Sequence, residues 1–298
     1  VTALGTAETA PPAQRADGPA PARRPIARLV NGSGLRWLLL PPATIMLVML
    51  VVPVAMLLET ALSGGGAFGK ALGDTVFQDA ALRTIVMSVV VTVFAVALGT
   101  LYALGVSAAP GWAAGVLLGT LFLTMWTSVL VRTFAWVLLE LPTGALYWVL
   151  HSLGLRDQPL DLYQTSLAAY PAMVHVMLPY VVLPVYVALG RLDQSQMRAA
   201  RVFGARPLLL VRKIVLPHLR PAIISGGVLV FIMSLGFYVT PLLLGSPSDL
   251  TVAGYIDQQF NGADQAAEAA AMSVMLLGAV LVVYLAADRL FRISERWE

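Results

Sequence analysis

MRAARVFGARPLLLVRKIVLPHLRP, Met197 to Pro221, carries five arginines, one lysine and three prolines in a chain of 298 residues that is 58% hydrophobic and only 12% charged. On both sides of it lie apolar runs of the length that crosses a hydrocarbon core about 30 Å thick. The mean hydropathy of +0.81 extends that reading to the whole chain. The expected fold class is therefore all-α and polytopic, with six membrane helices and this basic, jointed segment between two of them. The six spans are expected at Leu35 to Leu58, Leu82 to Ala108, Val116 to Leu139, Leu167 to Leu189, Ala222 to Leu244 and Ala267 to Leu290. Together with residue 291 they define a membrane domain, 35–291, whose basic loop is 191–220.

Residues 1–34 are rich in Ala, Pro, Gly and Arg without apolar periodicity, the composition of a tail too polar to bury itself. The first apolar run lies too deep and is too long for a cleavable signal. An even number of spans puts both termini on one side. Fifteen of the 19 Lys and Arg residues fall in the tail through Arg36, the segment from Arg191 to Arg220 and the C-terminal end. By the positive-inside rule those three segments, including residues 292–298, are expected in the cytoplasm. The opposite face then holds four basic and ten acidic residues and is net acidic. A bacterial inner-membrane location with lipid as solvent is expected, and no nucleic-acid partner.

The absence of cysteine removes disulfides, thiolate metal sites and cysteine nucleophiles. Gly64 to Lys70 matches the GxxxxGK part of a phosphate-binding loop, but Ala71 stands where a Mg²⁺-binding hydroxyl is needed and no strand precedes it. A flexible glycine loop is the expected structure. His151, His175 and His218 are too dispersed for a metal centre, so neither a catalytic residue, a metal nor a cofactor is expected in this chain. His175, mid-span, reads as a packing or hydrogen-bonding residue. Thr143 to Leu155 is too short to span and reads as an interfacial loop helix with Tyr147 and Trp148 at headgroup level. Gly111, Gly115 and Gly119 form overlapping GxxxG units, read as intrachain packing in preference to a subunit seam.

Charge inside a bilayer is costly and marks paths or paired sites. Arg132 falls about 24 Å along a straight helix begun at Val116, near the outer edge of the core. Glu140 is its nearest candidate partner. With Trp126, Thr127, Ser128, Thr133, Tyr238 and Thr240 it makes a set of polar and aromatic side chains in the apolar third and fifth spans, expected to line or support a solute path.

Within the opening stretch, Asp193 is placed to cap a short helix and Gly204 to stop it in a left-handed conformation. Pro207 suits the first turn of a second helix, Leu208 to Leu216, before Pro217 and Pro221 lead into the next span. A helix, a glycine elbow and a second helix, rich in donors and small residues, form a knob suited to docking on a partner, whereas anionic lipid needs only the charges.

The pattern Ala199-Ala200, Gly204, Ile214, Leu216-Pro217 resembles the EAA signature of permease subunits of binding-protein-dependent ABC importers. MWTSVLVRTFAW (Met125 to Trp136), HVMLPYVVLPVY (His175 to Tyr186) and FYVTPLLLG (Phe237 to Gly245) are similar to its spermidine/putrescine-type branch. The resemblance, over about residues 35 to 290, implies the type I importer permease fold. It also implies a second permease subunit making a heterodimer, two ATPase subunits that hold ATP and Mg²⁺, and an extracytoplasmic solute-binding protein. It assigns ATPase docking to Arg198, Ala199, Ala200, Gly204, Ala205, Pro207, Ile214, Leu216 and Pro217, as a coupling helix. Two positions depart from the family pattern: Arg198 stands where the family has Glu, and Thr124 where relatives have Pro. The implied activity is alternating-access import of a small solute, with polyamines leading; related permeases carry opines, aminophosphonates, ferric iron or thiamine. A membrane scaffold or signalling protein with a basic docking loop is the alternative of a different class.

Overall fold

The computed structural model describes residues 35–246, 248–262 and 265–291; the expected tail at 1–34 and the C-terminal end at 292–298 lie outside the described residues. Regular structure among the described residues is entirely helical. Five helices are long and apolar enough to cross a membrane, and a bent pair makes a sixth if counted as one span. The chain divides at Pro53 into two compact units. The first contributes the start of helix α1 (Leu35–Ser63), apolar and carrying Pro41, Pro42 and Pro53. The second runs from Val54 onward and holds all the remaining helices.

Its centre is three spans, α3 (Thr75–Ala108), α7 (Ala169–Gly190) and α10 (Leu216–Leu235). Met87, Val91 and Ala95 of α3, Met177, Val181 and Val185 of α7, and Leu219 and Val230 of α10 form one buried cluster. In lipid, apolar side chains gain little by leaving the solvent for one another, so close approach and dispersion must hold helices together. The sequence supplies it with glycine. A Cβ on Gly99 would sit 2.8 Å from Val181, and one on Gly227 would sit 3.2 Å from Val96. Gly226 is the tightest argument. Pro184 has no N–H for the carbonyl of Tyr180 four residues back, and it is against this carbonyl that Gly226 packs, where a Cβ would lie 3.2 Å from the oxygen. Two span hydroxyls are satisfied locally, Thr84 donating to Ala80 O at 2.7 Å and Thr92 to Ser88 O at 2.6 Å, whereas those of Ser88, Thr100 and Ser234 are buried without a partner.

A second cluster joins α2 (Ala67–Gly73), the start of α3, α12 (Val252–Asn261) and α13 (Ala266–Phe291) through Ala71, Phe77, Val252, Ile256 and Met272. Asp74 caps α3, accepting from Val76 N at 2.8 Å, and also accepts from Tyr255 Oη at 2.5 Å. The glycine run at 64–70 is half helix, not a loose loop: Gly65 and Gly66 take φ of 47° and 89°, α2 begins at Ala67, and Lys70 pairs with Glu268 at 3.2 Å.

Two expected spans are broken. The third turns by 107° between α4 (Gly111–Trp126) and α5 (Val129–Glu140). Thr127 and Ser128 adopt extended ψ of 135° and 142°, and Leu123 O accepts both the Thr127 N–H at 3.1 Å and the Thr127 hydroxyl at 2.7 Å. The straight-helix position given to Arg132 is thereby corrected: it sits in the first turn of a separate half-helix. The fifth span ends at Leu235 and resumes as α11 (Val239–Leu244). Pro241 cannot donate to the carbonyl of Phe237 and its ring clashes there, which favours the break, and it is accommodated in the first turn of the new helix. The GxxxG reading is corrected too: a Cβ on Gly111, Gly115 or Gly119 would meet nothing within 4 Å, so among the described residues no helix packs closely on that stripe. Thr143 to Leu155 does contain a short helix, α6 (Ala145–Ser152).

Candidate functional site

Two groups of side chains stand out, one at the elbow between α7 and α10 and one at the broken spans. The elbow begins with α8 (Gln194–Val202). Asp193 caps it, taking the Ser195 N–H at 2.8 Å and the Ser195 hydroxyl at 2.7 Å. Those two bonds hold the Asp193 carboxyl below its usual range. The helix closes with the Ala205 N–H on Ala200 O at 3.0 Å, across Gly204 at φ 76°, the left-handed termination expected of glycine. Pro207 then opens α9 (Pro207–Leu210), with Arg206 as its extended N-cap.

The second helix of the elbow does not end at Leu216, as expected. α9 runs through a π-turn, Val211–Val215, straight into α10. The wider turn lets the Leu216 N–H reach Val211 O and absorbs the donor missing at Pro217, so the elbow and the fifth span are one 29-residue rod. Buried Leu210 and Val215 fix its inner face, Ile214 is half-buried, and His218 Nε2 lies 3.2 Å from Ala188 O at the end of α7. Outward, Val202, Phe203 and Leu208 are 85%, 89% and 80% exposed, beside exposed Arg198, Ala199, Arg206 and Pro207, while Ala200 and Ala205 are half-buried. This apolar tip on a basic elbow was not foreseen from sequence. Its signal was Val202-Phe203 immediately before Gly204, where a helix end leaves large side chains uncovered.

At the broken spans, α5 and α11 pack on one another. Thr133 Oγ1 donates to Val129 O at 2.9 Å, so it accepts from Thr240 Oγ1 at 3.0 Å, both side chains buried. Trp136 and Val137, one turn on, pack with Leu244 and with Ala168, Ala169 and Ala172 at the start of α7. Trp136 Nε1 donates to His175 Nδ1 at 3.1 Å, which places the imidazole proton on Nε2. The Arg132 guanidinium is half-buried and interacts electrostatically with Tyr180 and His175 of α7. The Arg132–Glu140 pair proposed from sequence is not formed: Arg132 Nε and both Glu140 oxygens lack hydrogen-bond partners. They are eight residues apart on one helix, about 12 Å at 1.5 Å per residue.

Of the expected path residues, the structure brings together Arg132, Thr133 and Thr240, and adds Trp136, His175 and Tyr180. Trp126, 88% exposed, with Thr127 and Ser128, stays at the break between α4 and α5. Tyr238 lines a cavity of about 180 Å³ on the other side of α11, with Gln164, Leu242, Asp249, Thr251 and Gln258. Gln164 holds a positive φ of 59° there. The cavity's loop is tied to α3, since Arg83 donates to Ser248 O at 2.5 Å and the Val252 N–H reaches Thr84 Oγ1 at 2.9 Å. Asp249 also accepts from the Ser166 hydroxyl. Among the described residues no group of three or more His, Asp or Glu is placed to hold a metal ion.

A family model described as the binding-protein-dependent transport system inner membrane component matches residues 102–297. The spermidine/putrescine transport system permease protein PotB of Escherichia coli (strain K12) is 29% identical over 220 residues, 73% of this chain and 80% of that protein. The inner membrane ABC transporter permease protein YdcU of the same strain is 32% identical over 192 residues, 60% of this chain and 61% of the relative. The backbone is similar to a chain of a bacterial ABC transporter involved in the import of the acidic polysaccharide alginate. That match has a TM-score of 0.69 at 18% identity and covers 90% of this chain and 98% of the other.

Proposed function

This chain belongs to the family of binding-protein-dependent transport system inner membrane components, and from that premise we propose that it translocates a small polyamine-type cation as one half of an ATP-driven importer. It is a multi-pass inner-membrane permease subunit. The observation that carries the cargo reading is the 220-residue similarity to PotB. The excess of acidic residues assigned to the outer face supports it, since such a surface concentrates cations.

In this reading both termini and the elbow face the cytoplasm. The elbow, Arg198 to Pro217, seats on an ATPase subunit that hydrolyses ATP, with Phe203 and Val202 as apolar anchors and Arg198 and Arg206 around them. Because α9 and α10 are continuous, displacement of the elbow is carried along one rod to the break at Gly236. There it reaches α11 and, through Thr240 and Thr133, α5. A solute-binding protein delivers the cation to the outer mouth near Tyr238, and a second permease subunit completes the path lined by Trp126, Thr127, Ser128, Arg132 and Thr133.

The test is uptake of labelled spermidine and putrescine into proteoliposomes carrying the complete complex. ATP-dependent accumulation of either is expected. Failure to accumulate both, in a complex whose ATP hydrolysis responds to its loaded binding protein, overturns the polyamine assignment and leaves the permease role intact.

A further inference from the structure

Glu140 is a buried acid outside the proposed solute path. Its side chain is 0% exposed and neither carboxylate oxygen has a hydrogen-bond partner. It continues the α5 face formed by Thr133, Trp136 and Val137, toward α7 and α11. The titratable groups on the elements packed against α5 are Tyr147 and His151 of α6 and Tyr170, His175, Tyr180 and Tyr186 of α7, with Tyr163 of the preceding loop; α11 has none. None of these bonds to Glu140, and Arg132 on its own helix does not reach it.

An ionised carboxylate in this position would lack both a counter-ion and donors, at a cost of several kcal/mol. It would also stand at the C-terminal end of α5, where the helix dipole disfavours negative charge. In the closed arrangement of α5, α7 and α11, Glu140 is therefore a neutral acid. Complete burial within this chain also excludes a basic residue of a neighbouring subunit as its resting partner.

α11 lies between the α5 face that Glu140 continues and the cavity beside Tyr238. Thr240 and Leu244 face α5 and the start of α7, whereas Tyr238, Pro241, Leu242 and Gly245 line the cavity. This six-residue helix is bounded by the break at Gly236–Phe237 and by Gly245.

We propose that Glu140 is a cation-selecting residue: when α11 moves, the carboxyl releases its proton to the outer water and takes an ammonium group of the solute as counter-ion. The exchange balances for that one ammonium group, one proton leaving as one positive charge arrives; the solute's other ammonium groups need partners elsewhere on the path. The proposal rests on the cationic-solute reading of the permease.

The experiment uses the complete complex in proteoliposomes, with labelled spermidine and the variants Glu140→Gln and Glu140→Leu. Glutamine keeps the shape of the neutral acid and cannot ionise, so a structural role predicts wild-type transport by Glu140→Gln. The counter-ion role predicts a rise in apparent KM of roughly tenfold or more in both variants, with assembly and basal ATP hydrolysis preserved. It also predicts a protonated-carboxyl infrared band that disappears when spermidine is added and is missing from Glu140→Gln. Wild-type KM in Glu140→Gln, or a carboxyl band indifferent to spermidine, overturns the proposal alone. Absence of amine uptake by the wild type overturns the polyamine reading and this inference with it.

Discussion

The inner elbow and the outer half-helices are built on opposite terms. The elbow is held by local rules, an Asp cap, a glycine termination and a proline start, and it presents apolar side chains outward with nothing of this chain covering them. The outer pair α5 and α11 is held by a few long-range contacts, one buried hydroxyl pair and the packing of Trp136, Val137 and Leu244. Between them lies the close-packed trio α3, α7 and α10. An elbow with an uncovered apolar tip, a close-packed shaft and a weakly held pair of half-helices are what the proposed function requires, with force applied at one side and movement at the other.

The largest effect is expected in the shaft that both ends share. Gly226→Leu would drive a side chain into the backbone of Tyr180 and Val181, where even a Cβ lies at 3.2 Å, and a cost of about 3 kcal/mol or more should abolish accumulation of folded protein. Gly105→Leu, at a helical position with nothing within 4 Å, should fold normally. Equal yields of the two in a membrane-fraction blot would break the contrast between core and periphery.

Next is the elbow itself. Gly204→Leu forces a branched side chain into a left-handed conformation at φ 76°, costing about 1–2 kcal/mol, and should reduce uptake severely while the spans stay folded. Gly204→Asn tolerates that conformation and should retain most of it. If asparagine and leucine behave alike, the backbone conformation is not what matters.

A smaller change is expected at the outer pair. Thr240→Val removes one buried hydrogen bond but leaves Thr133 bonded to Val129, so the loss should be about 1 kcal/mol, read as a lower midpoint of thermal unfolding. An unchanged midpoint would show that packing alone holds α11.

The smallest effect concerns the Asp193 cap. Its carboxyl is depressed in the folded chain by the Ser195 bonds, so its contribution is present above the unfolded pKa and is lost as pH falls through the folded value. Asp193→Ala should therefore speed limited proteolysis at the elbow near neutral pH and match wild type once the pH is below the folded value. A difference that persists in acid would remove the cap from the explanation.

The same contrast explains what could be read from the sequence. Span number, the loop helix near Tyr147 and the elbow with Asp193, Gly204 and Pro207 are all legible in length, charge and local capping chemistry. The breaks at Thr127–Ser128 and Gly236–Tyr238 are not, because hydropathy averages over twenty residues and a two-residue interruption leaves the average untouched. Pro241 was a visible sign of the second break, but the expected span ran through it to Leu244. The pairing of Trp136 with His175 depends on which helices are neighbours, which periodicity does not encode, whereas the separation of Glu140 from Arg132 follows from eight residues on one helix. Phe203 was missed although Val202-Phe203 stands immediately before Gly204, because an apolar pair at a helix end reads equally as packing against the spans.

The claim that the elbow drives the outer pair can be measured directly, because the chain has no cysteine and accepts spin labels at chosen sites. Labels at exposed Leu138 of α5 and Leu242 of α11 report the outer pair, and labels at exposed Val86 of α3 and Val187 of α7 report the shaft. In the complete complex, adding ATP with loaded binding protein should change the 138–242 distance and leave 86–187 constant, and Gly204→Leu should suppress the change. An outer distance that responds equally in Gly204→Leu, or a shaft distance that changes as much as the outer one, would contradict the account.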